Sequence, residues 1–324
     1  MRQVELFIES WPLIEPFVIT GYTWMYCDVL VVSITENGVT GRGESTGVYY
    51  LDETAESMFQ QVVGIRQKLE QGISRKQVQS LLRAGGARNA VDCALWDLEA
   101  KISGQSIFGL TGIPSSPLNT VNTVTIDTPK QMAKKAAAIS ARKIKVKLDS
   151  EKPLRRITAV RNARPDADIV VDVNEGWSFG QLVELAPQLK ALGIKMIEQP
   201  LPRGEDDALE GYKSPIMLCA DESCLDTSEL AQTAKRYQMV NIKLDKTGGL
   251  TEALKLVQQA SDKGIRLMIG NMTGTSLAMA PAYVVAQLCD FVDLDGALLL
   301  AADRSHPMSY QQGIVSGLTS QLWG

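Results

Sequence analysis

The sequence predicts an α/β protein: a (β/α)7-8 TIM-like barrel preceded by an N-terminal α+β capping domain. Three observations predict it. From about residue 118 onward, short apolar strands alternate with amphipathic helical segments, the rhythm of βα units that cover a parallel sheet. Ionisable residues recur at the ends of those strands about every 25 residues. The third is Lys143-Ile144-Lys145-Val146-Lys147-Leu148, which alternates strictly, lysines on one face and aliphatics on the other. In a closed barrel the aliphatic face meets the helices and the lysines point inward. Buried cations are costly unless anions neutralise them, so carboxylates must lie close by.

Residues 1 to about 50 read as antiparallel strands. Gln3–Ile8 is followed by Asp28–Thr35, a turn at Glu36-Asn37-Gly38, and Val39–Glu44 as hairpin partner. Glu53–Glu70 and Ser74–Leu82 are helical in pattern, and Ala87–Lys101 carries an apolar stripe of Ala87, Val91, Ala94, Leu95 and Leu98. The Gly112-Ile113-Pro114 turn then marks a boundary, giving a capping domain over residues 1–116. Barrel strands are expected near Asn119–Ile126, Lys143–Leu148, Asp168–Val173, Lys195–Glu198, Ile216–Ala220, Met239–Lys243, Arg266–Ile269 and Phe291–Asp293. Helices are expected at Lys130–Ser140, Leu154–Ala163, Gly180–Ala191 and Leu250–Lys263. The barrel thus spans 117–297, and 298–324 breaks the rhythm and is expected to return to the capping domain.

Composition narrows the chemistry. A net charge of −4 without a basic cluster gives no support for nucleic acid or an anionic membrane as partner. Five cysteines without a C-x-x-C pair fit reduced thiols in the cytoplasm better than a disulfide framework or a zinc site. The N-terminus lacks a signal-peptide apolar region, and no apolar run reaches membrane-spanning length. The single histidine, His306, lies in a loop-like stretch, so acid–base chemistry falls to Lys, Asp, Glu, Tyr or Cys. Oligomeric state is left open, and a homo-oligomer is compatible with the sequence.

Active groups of such barrels come from the C-terminal ends of strands. The acids there are Asp172, Glu198 and Asp221, on three successive strands, with Lys147 one strand earlier and Lys243 one strand later. Singly, each acid is more often a turn residue or helix cap. As an evenly spaced series, they converge on one mouth, where they repel unless a hard divalent cation binds them. Oxygen ligands with room for water suit Mg²⁺. Such a metal can hold a substrate carboxylate and stabilise the enolate formed when an α-proton leaves. A lysine base at neutral pH needs a depressed pKa, which a neighbouring cation provides. Lys145 adds to the positive field, and Asp245 and Lys246 start the following loop.

Lys145-x-Lys147, Asp172-x-Asn174, Ile197-Glu198-Gln199-Pro200-Leu201-Pro202, Asp221-Glu222-Ser223 and Asn241-Ile242-Lys243-Leu244-x-Lys246-x-Gly248-Gly249 resemble the enolase superfamily in its muconate lactonising branch. Gly41-x-Gly43-Glu44 and Asp92-x-Ala94-Leu95-Trp96-Asp97 resemble that family's capping domain. Asp293-Leu294-Asp295-Gly296 is similar to the dipeptide epimerases of the L-Ala-D/L-Glu type, where the two acids hold the α-ammonium of a dipeptide. The resemblance implies Lys147 and Lys243 as acid/base catalysts, Asp172, Glu198 and Asp221 as Mg²⁺ ligands, and Thr123 as a substrate contact. It also implies a place in murein-peptide metabolism.

One departure bears on specificity. In Ala-Glu epimerases a mobile loop near residue 24 carries an arginine that reads the glutamate side chain. Here Gly21-Tyr22-Thr23-Trp24-Met25-Tyr26 has no cation, nor has Gly270-Asn271-Met272-Thr273-Gly274-Thr275. Unless Arg42 or another loop supplies one, Trp24 suits a non-acidic second residue. An N-acyl amino acid racemase, o-succinylbenzoate synthase or cycloisomerase would share lysines and metal but has no ammonium for Asp293 and Asp295. A Schiff-base aldolase would need no metal, and a binding protein would not need both lysines.

Overall fold

The computed structural model describes all 324 residues. The chain opens with an antiparallel sheet of β1 (Gln3–Ile19), β2 (Tyr22–Glu36) and β3 (Val39–Thr46). Asn37 and Gly38 link β2 to β3 with φ of 52° and 79°, the left-handed pair a two-residue hairpin needs. The first hairpin runs farther than the sequence indicates: both strands continue to a tip at Thr20-Gly21. A register shift between Pro12 and Phe17 breaks the alternation that would have revealed it.

Four helices follow: α1 (Ala55–Glu70), α2 (Arg75–Leu81), α3 (Gly86–Ser103) and α4 (Ile107–Thr111). Thr54 and Ser74 cap α1 and α2 with reciprocal side-chain bonds to the third helical residue. The Ala87–Leu98 stripe of α3 is fully buried against β3. That approach excludes side chains on the strand: a Cβ on Gly41 would lie 2.3 Å from the Ala94 oxygen, and one on Gly43 2.1 Å from the Ala90 oxygen. Val4, Leu30, Val32 and Ile34 pack with the helices into a core of 17 residues, separate from the larger core of the barrel.

After the two-residue strand β4 (Leu118–Asn119) comes the parallel sheet. Its units are β5 (Asn122–Val124), α5 (Pro129–Ala138), β6 (Lys143–Lys147), α6 (Pro153–Ala163), β7 (Asp168–Asp172), α7 (Phe179–Ala191) and β8 (Met196–Glu198). Then come β9 (Met217–Ala220), α8 (Leu230–Thr233), β10 (Met239–Ile242), α9 (Leu244–Thr247), α10 (Leu250–Asp262), β11 (Arg266–Ile269), α11 (Ser276–Ala286) and β12 (Phe291–Val292). The eight strands run from β5 to β12 in sequence order. The sheet curls so that its ends meet: Val121 N donates to Val292 O at 3.1 Å, and Leu294 N to Thr120 Oγ1 at 2.9 Å. The expected barrel strands are all present: Arg266–Ile269 as expected, the first shorter by three residues at its start and two at its end, and the other six by one residue. The sequence reading missed α11, which is apolar all round and has Pro281 inside, so it shows no amphipathic period.

The last residues turn back. β13 (Ser309–Gln311) pairs with β14 (Ile314–Ser316), β14 pairs with β4, and the terminus then reaches α3. Trp323 is wholly buried and donates its indole N–H to Cys93 O at 3.0 Å, while Gly324 N donates to Asp97 Oδ1 at 2.6 Å. Arg42 donates to Leu322 O at 2.9 Å. Truncating Trp323 to Ala at such a site costs about 3–5 kcal/mol. Arg304 donates to Glu44 and forms an ion pair with Glu9, all against the ring of Trp11, a second tie between the two parts of the chain.

Candidate active site

Strand alternation delivers the charged groups. Parallel register sets Lys147 beside Asp172 and Asp172 beside Glu198, all turned into the barrel mouth. Asp221 follows β9, Lys243 follows β10, and Asp293 and Asp295 follow β12. Lys145, Lys147, Asp172, Glu198, Asp221, Lys243, Asp293 and Asp295 are each 6% exposed or less, so every charge there must find a partner in the protein or a ligand.

The ammonium groups bind the carboxylates tightly. Lys145 Nζ lies 2.9 Å from Asp172, 2.8 Å from Glu198 and 2.7 Å from Asp293. Lys147 Nζ donates to Asp172 Oδ2 at 2.5 Å and to Asn174 Oδ1 at 3.0 Å. Lys243 Nζ lies 2.6 Å from Asp221 Oδ2. Lys246 holds the other oxygen of Asp221 at 2.7 Å and two backbone carbonyls besides. Asn241 donates to Glu198 Oε1 at 2.7 Å. Lys246, Asn241 and Asn174 stand in the motifs quoted above, but their partners emerge only here. Glu222, buried beneath Asn174, is a sixth carboxylate at the mouth.

Protonation follows from this crowding. Burial raises Asp172, but Lys145 and Lys147 outweigh it and hold the carboxyl at about 2. Asp221 is likewise lowered, its burial overcome by Lys243 and Lys246. Glu198 moves the other way, to about 7, because burial and Asp172 both raise it and it shares one ammonium with two other acids. Burial and Asp293 raise Asp295 to about 7. Lys243 departs from the sequence expectation: burial pulls it down, yet Asp221 prevails and the net shift is upward, not downward.

With the ammonium groups drawn between them, no three acids stand together in closed ligating geometry. The donor set nonetheless fits a hard divalent cation. Glu198 Oε2 and Asp221 Oδ2 are buried and lie 2.8 and 2.6 Å from the ammonium groups of Lys145 and Lys243, acidic oxygens that already bind cationic groups.

A cleft of about 440 Å³ opens above these groups. Thr123, Lys145, Lys147, Lys243, Asp293 and Asp295 form its floor, and Thr123 N donates to Asp295 Oδ2 at 2.6 Å. Its roof is the tip of the first hairpin, carrying Phe17, Ile19, Trp24 and Tyr26, with Tyr49 from the segment after β3. The stretch expected to be a mobile loop is therefore strand. Its tip is bonded to the barrel: Thr20 Oγ1 lies 2.8 Å from Val173 O and 3.2 Å from Leu148 O. Trp24 stacks on Tyr22 at 5.4 Å and meets Tyr49 edge-on at 5.1 Å. No arginine lines the cleft, and Arg42 points instead to the C-terminal residues.

Residues 1–112 match the family described as mandelate racemase / muconate lactonizing enzyme, N-terminal domain, and residues 127–310 match the enolase C-terminal domain-like family. The chain belongs to the enolase superfamily. Among its relatives is an L-Ala-D/L-Glu epimerase of Escherichia coli (strain K12), 44% identical over 97% of this chain and 99% of the relative. An N-acetyl-D-glutamate racemase of a Pseudoalteromonas species is 43% identical over 91% of this chain and 95% of its own. A solved enolase family member from Agrobacterium tumefaciens, described as homologous to dipeptide epimerases and holding sodium and L-Ala-L-Glu, aligns over 100% of both chains at 40% identity and a TM-score of 0.98. The similar chains are thus epimerases and racemases, members of the isomerase class. No helix here is long and apolar enough to cross a membrane, and all five cysteines are free.

Proposed function

We propose that this superfamily member is a dipeptide epimerase that inverts the α-carbon of the second residue of L-Ala-Xaa dipeptides. The observation that carries the reading is the placement of the two lysines. In the strand order β6 and β10 are separated by β7, β8 and β9, so Lys147 and Lys243 project from opposite walls of an eight-stranded barrel. An α-carbon held between them offers one face to each. One lysine, neutral, takes the α-proton; the other, as ammonium, delivers a proton to the opposite face; configuration inverts and the two exchange protonation states. A divalent cation held by Asp172, Glu198 and Asp221, Mg²⁺ by its oxygen donors, would supply the positive charge that offsets negative charge developing on the substrate carboxylate. Lys145 keeps Asp172, Glu198 and Asp293 in register.

Asp293 and Asp295 would take the α-ammonium of the dipeptide. Asp293 Oδ1 is buried, accepts no hydrogen bond, and belongs to the cleft floor. A racemase of N-acylated amino acids is the second reading, favoured by the Pseudoalteromonas relative, but its substrates bring no cation to that oxygen. For the side chain of the second residue, a cleft roofed by Phe17, Trp24 and Tyr49, whose only cations are the mouth lysines, supports a non-acidic group.

Incubation with Mg²⁺ in D₂O against L-Ala-L-Xaa dipeptides and N-acetyl amino acids, read by mass spectrometry, tests all three points. Deuterium at the Xaa α-carbon of apolar or aromatic dipeptides is expected. Preferential labelling of Ala-Glu would overturn the reading of Trp24, and labelling confined to N-acetyl amino acids would overturn the dipeptide assignment.

A further inference from the structure

The geometry assigns to Gln199 the role of positioning residue for the metal site: it locks Glu198 and Asp221 into one arrangement. This rests on the reading of those two acids as metal ligands. Gln199 is wholly buried and has φ of 34°, left-handed backbone that a residue with a side chain rarely adopts. Pro200 explains part of this. The residue before a proline is kept from right-handed helical backbone, so a sharp turn straight after Glu198 must be made another way.

What holds the turn is a set of bonds from one side chain to the next strand end. Gln199 Oε1 accepts from Asp221 N at 2.9 Å and from Ser223 N at 3.1 Å. Its Nε2 contacts Leu201 O and Ser223 Oγ, each at 2.8 Å, and Tyr237 Oη at 3.3 Å. Two amide hydrogens thus serve three acceptors, the longest contact being the shared one. The backbone is used too: Gln199 N donates to Cys219 O at 2.9 Å, and Glu175 N donates to Gln199 O at 2.9 Å. One residue therefore links the ends of β7, β8 and β9, the three strands that carry Asp172, Glu198 and Asp221. It touches neither the cleft nor any lysine, and the lysines alone do not fix Asp221 N or the exit of Glu198. Bonds of this kind, one shell out from a metal, commonly change affinity 10- to 100-fold when lost.

Gln199→Gly separates strain from bonding, because glycine adopts this backbone freely while all five side-chain contacts disappear. Mg²⁺ titration by calorimetry on the intact protein is expected to show affinity about 10-fold weaker or more, with kcat falling further than KM for the dipeptide changes. Should that variant not fold, Ser223→Ala combined with Tyr237→Phe leaves Nε2 with Leu201 O alone, and an approximately threefold or larger loss of Mg²⁺ affinity is expected with an unchanged circular dichroism spectrum. Unaltered Mg²⁺ affinity in whichever variant folds overturns the assignment, even if thermal stability drops. Failure of the unmodified protein to bind Mg²⁺ would instead overturn the metal reading beneath it.

Discussion

The two ends of the barrel are built on the same strands and differ in almost everything else. Toward the N-terminal ends, Val170, Met196, Cys219, Met239 and Met268 form a buried apolar plug. Two residues farther along the first three of those strands stand Asp172, Glu198 and Asp221, still facing inward. One step of the pleat changes the interior from thioether and aliphatic contact to a cluster of interlocked charges. The plug is held by area and packing, which many side chains can supply. At the mouth, each charge is tolerated only because specific partners lie within hydrogen-bonding distance, so removing one partner strands another.

The sharpest break in that comparison comes from the lysines. Lys147→Met and Lys243→Met should each lower turnover about 10³-fold, the middle of the range for a positioned acid or base, while the protein stays folded. Steady-state epimerisation with both substrate epimers, alongside circular dichroism, measures this. Retention of more than a tenth of the activity by either variant would mean that the two-wall arrangement is not the catalytic one.

The plug should behave in the opposite way. Met196→Ala removes a buried side chain 2% exposed and should destabilise the fold by about 2–5 kcal/mol, whereas Met268→Leu, close in volume, should cost less than about 1.5 kcal/mol. Neither should alter turnover more than about twofold at a temperature where the variant is folded. Urea denaturation joined to kinetics checks both. A plug variant that stayed stable but lost activity would erase the division between the two ends.

Legibility in the sequence follows the same division. The alternation of Lys143–Leu148 and the recurrence of acids at strand ends are local signals, so eight strands and the principal groups of the mouth are legible in the chain itself. Partnership was not readable. Lys145 serving Asp172, Glu198 and Asp293 at once depends on barrel closure, which sets residues 145 and 293 side by side. The upward shift of Lys243 depends on Asp221 lying 2.6 Å away. The hairpin roof escaped because its strands lose their alternation at the register shift between Pro12 and Phe17, and helix α11 escaped because burial on all sides leaves no polar face to mark a period.

A residue between the two regimes gives the smallest and most discriminating test. Asp245 lies two residues past Lys243, yet its partners come from the capping domain: Ser45 Oγ donates at 2.5 Å, Thr46 N at 3.1 Å and Asn89 Nδ2 at 3.1 Å. No cation is among these partners. Burial therefore dominates and raises its carboxyl from 3.8 to about 6, the three hydrogen bonds only partly opposing it. A raised acid holds its proton more tightly in the folded chain than in the unfolded one. The stability it contributes is complete below pH 3.8 and is lost as pH rises through about 6, so at neutral pH the ionised group burdens the fold. Asp245→Asn keeps the accepting oxygen and removes the charge. It should stabilise the protein at pH 7.5 by up to about 3 kcal/mol and change little near pH 4, flattening the pH dependence between. Thermal denaturation across that range reads the slope. A uniform loss of stability at every pH would show that the capping domain gains more from the ionised carboxylate than burial takes away, and that this seam follows the electrostatic logic of the mouth.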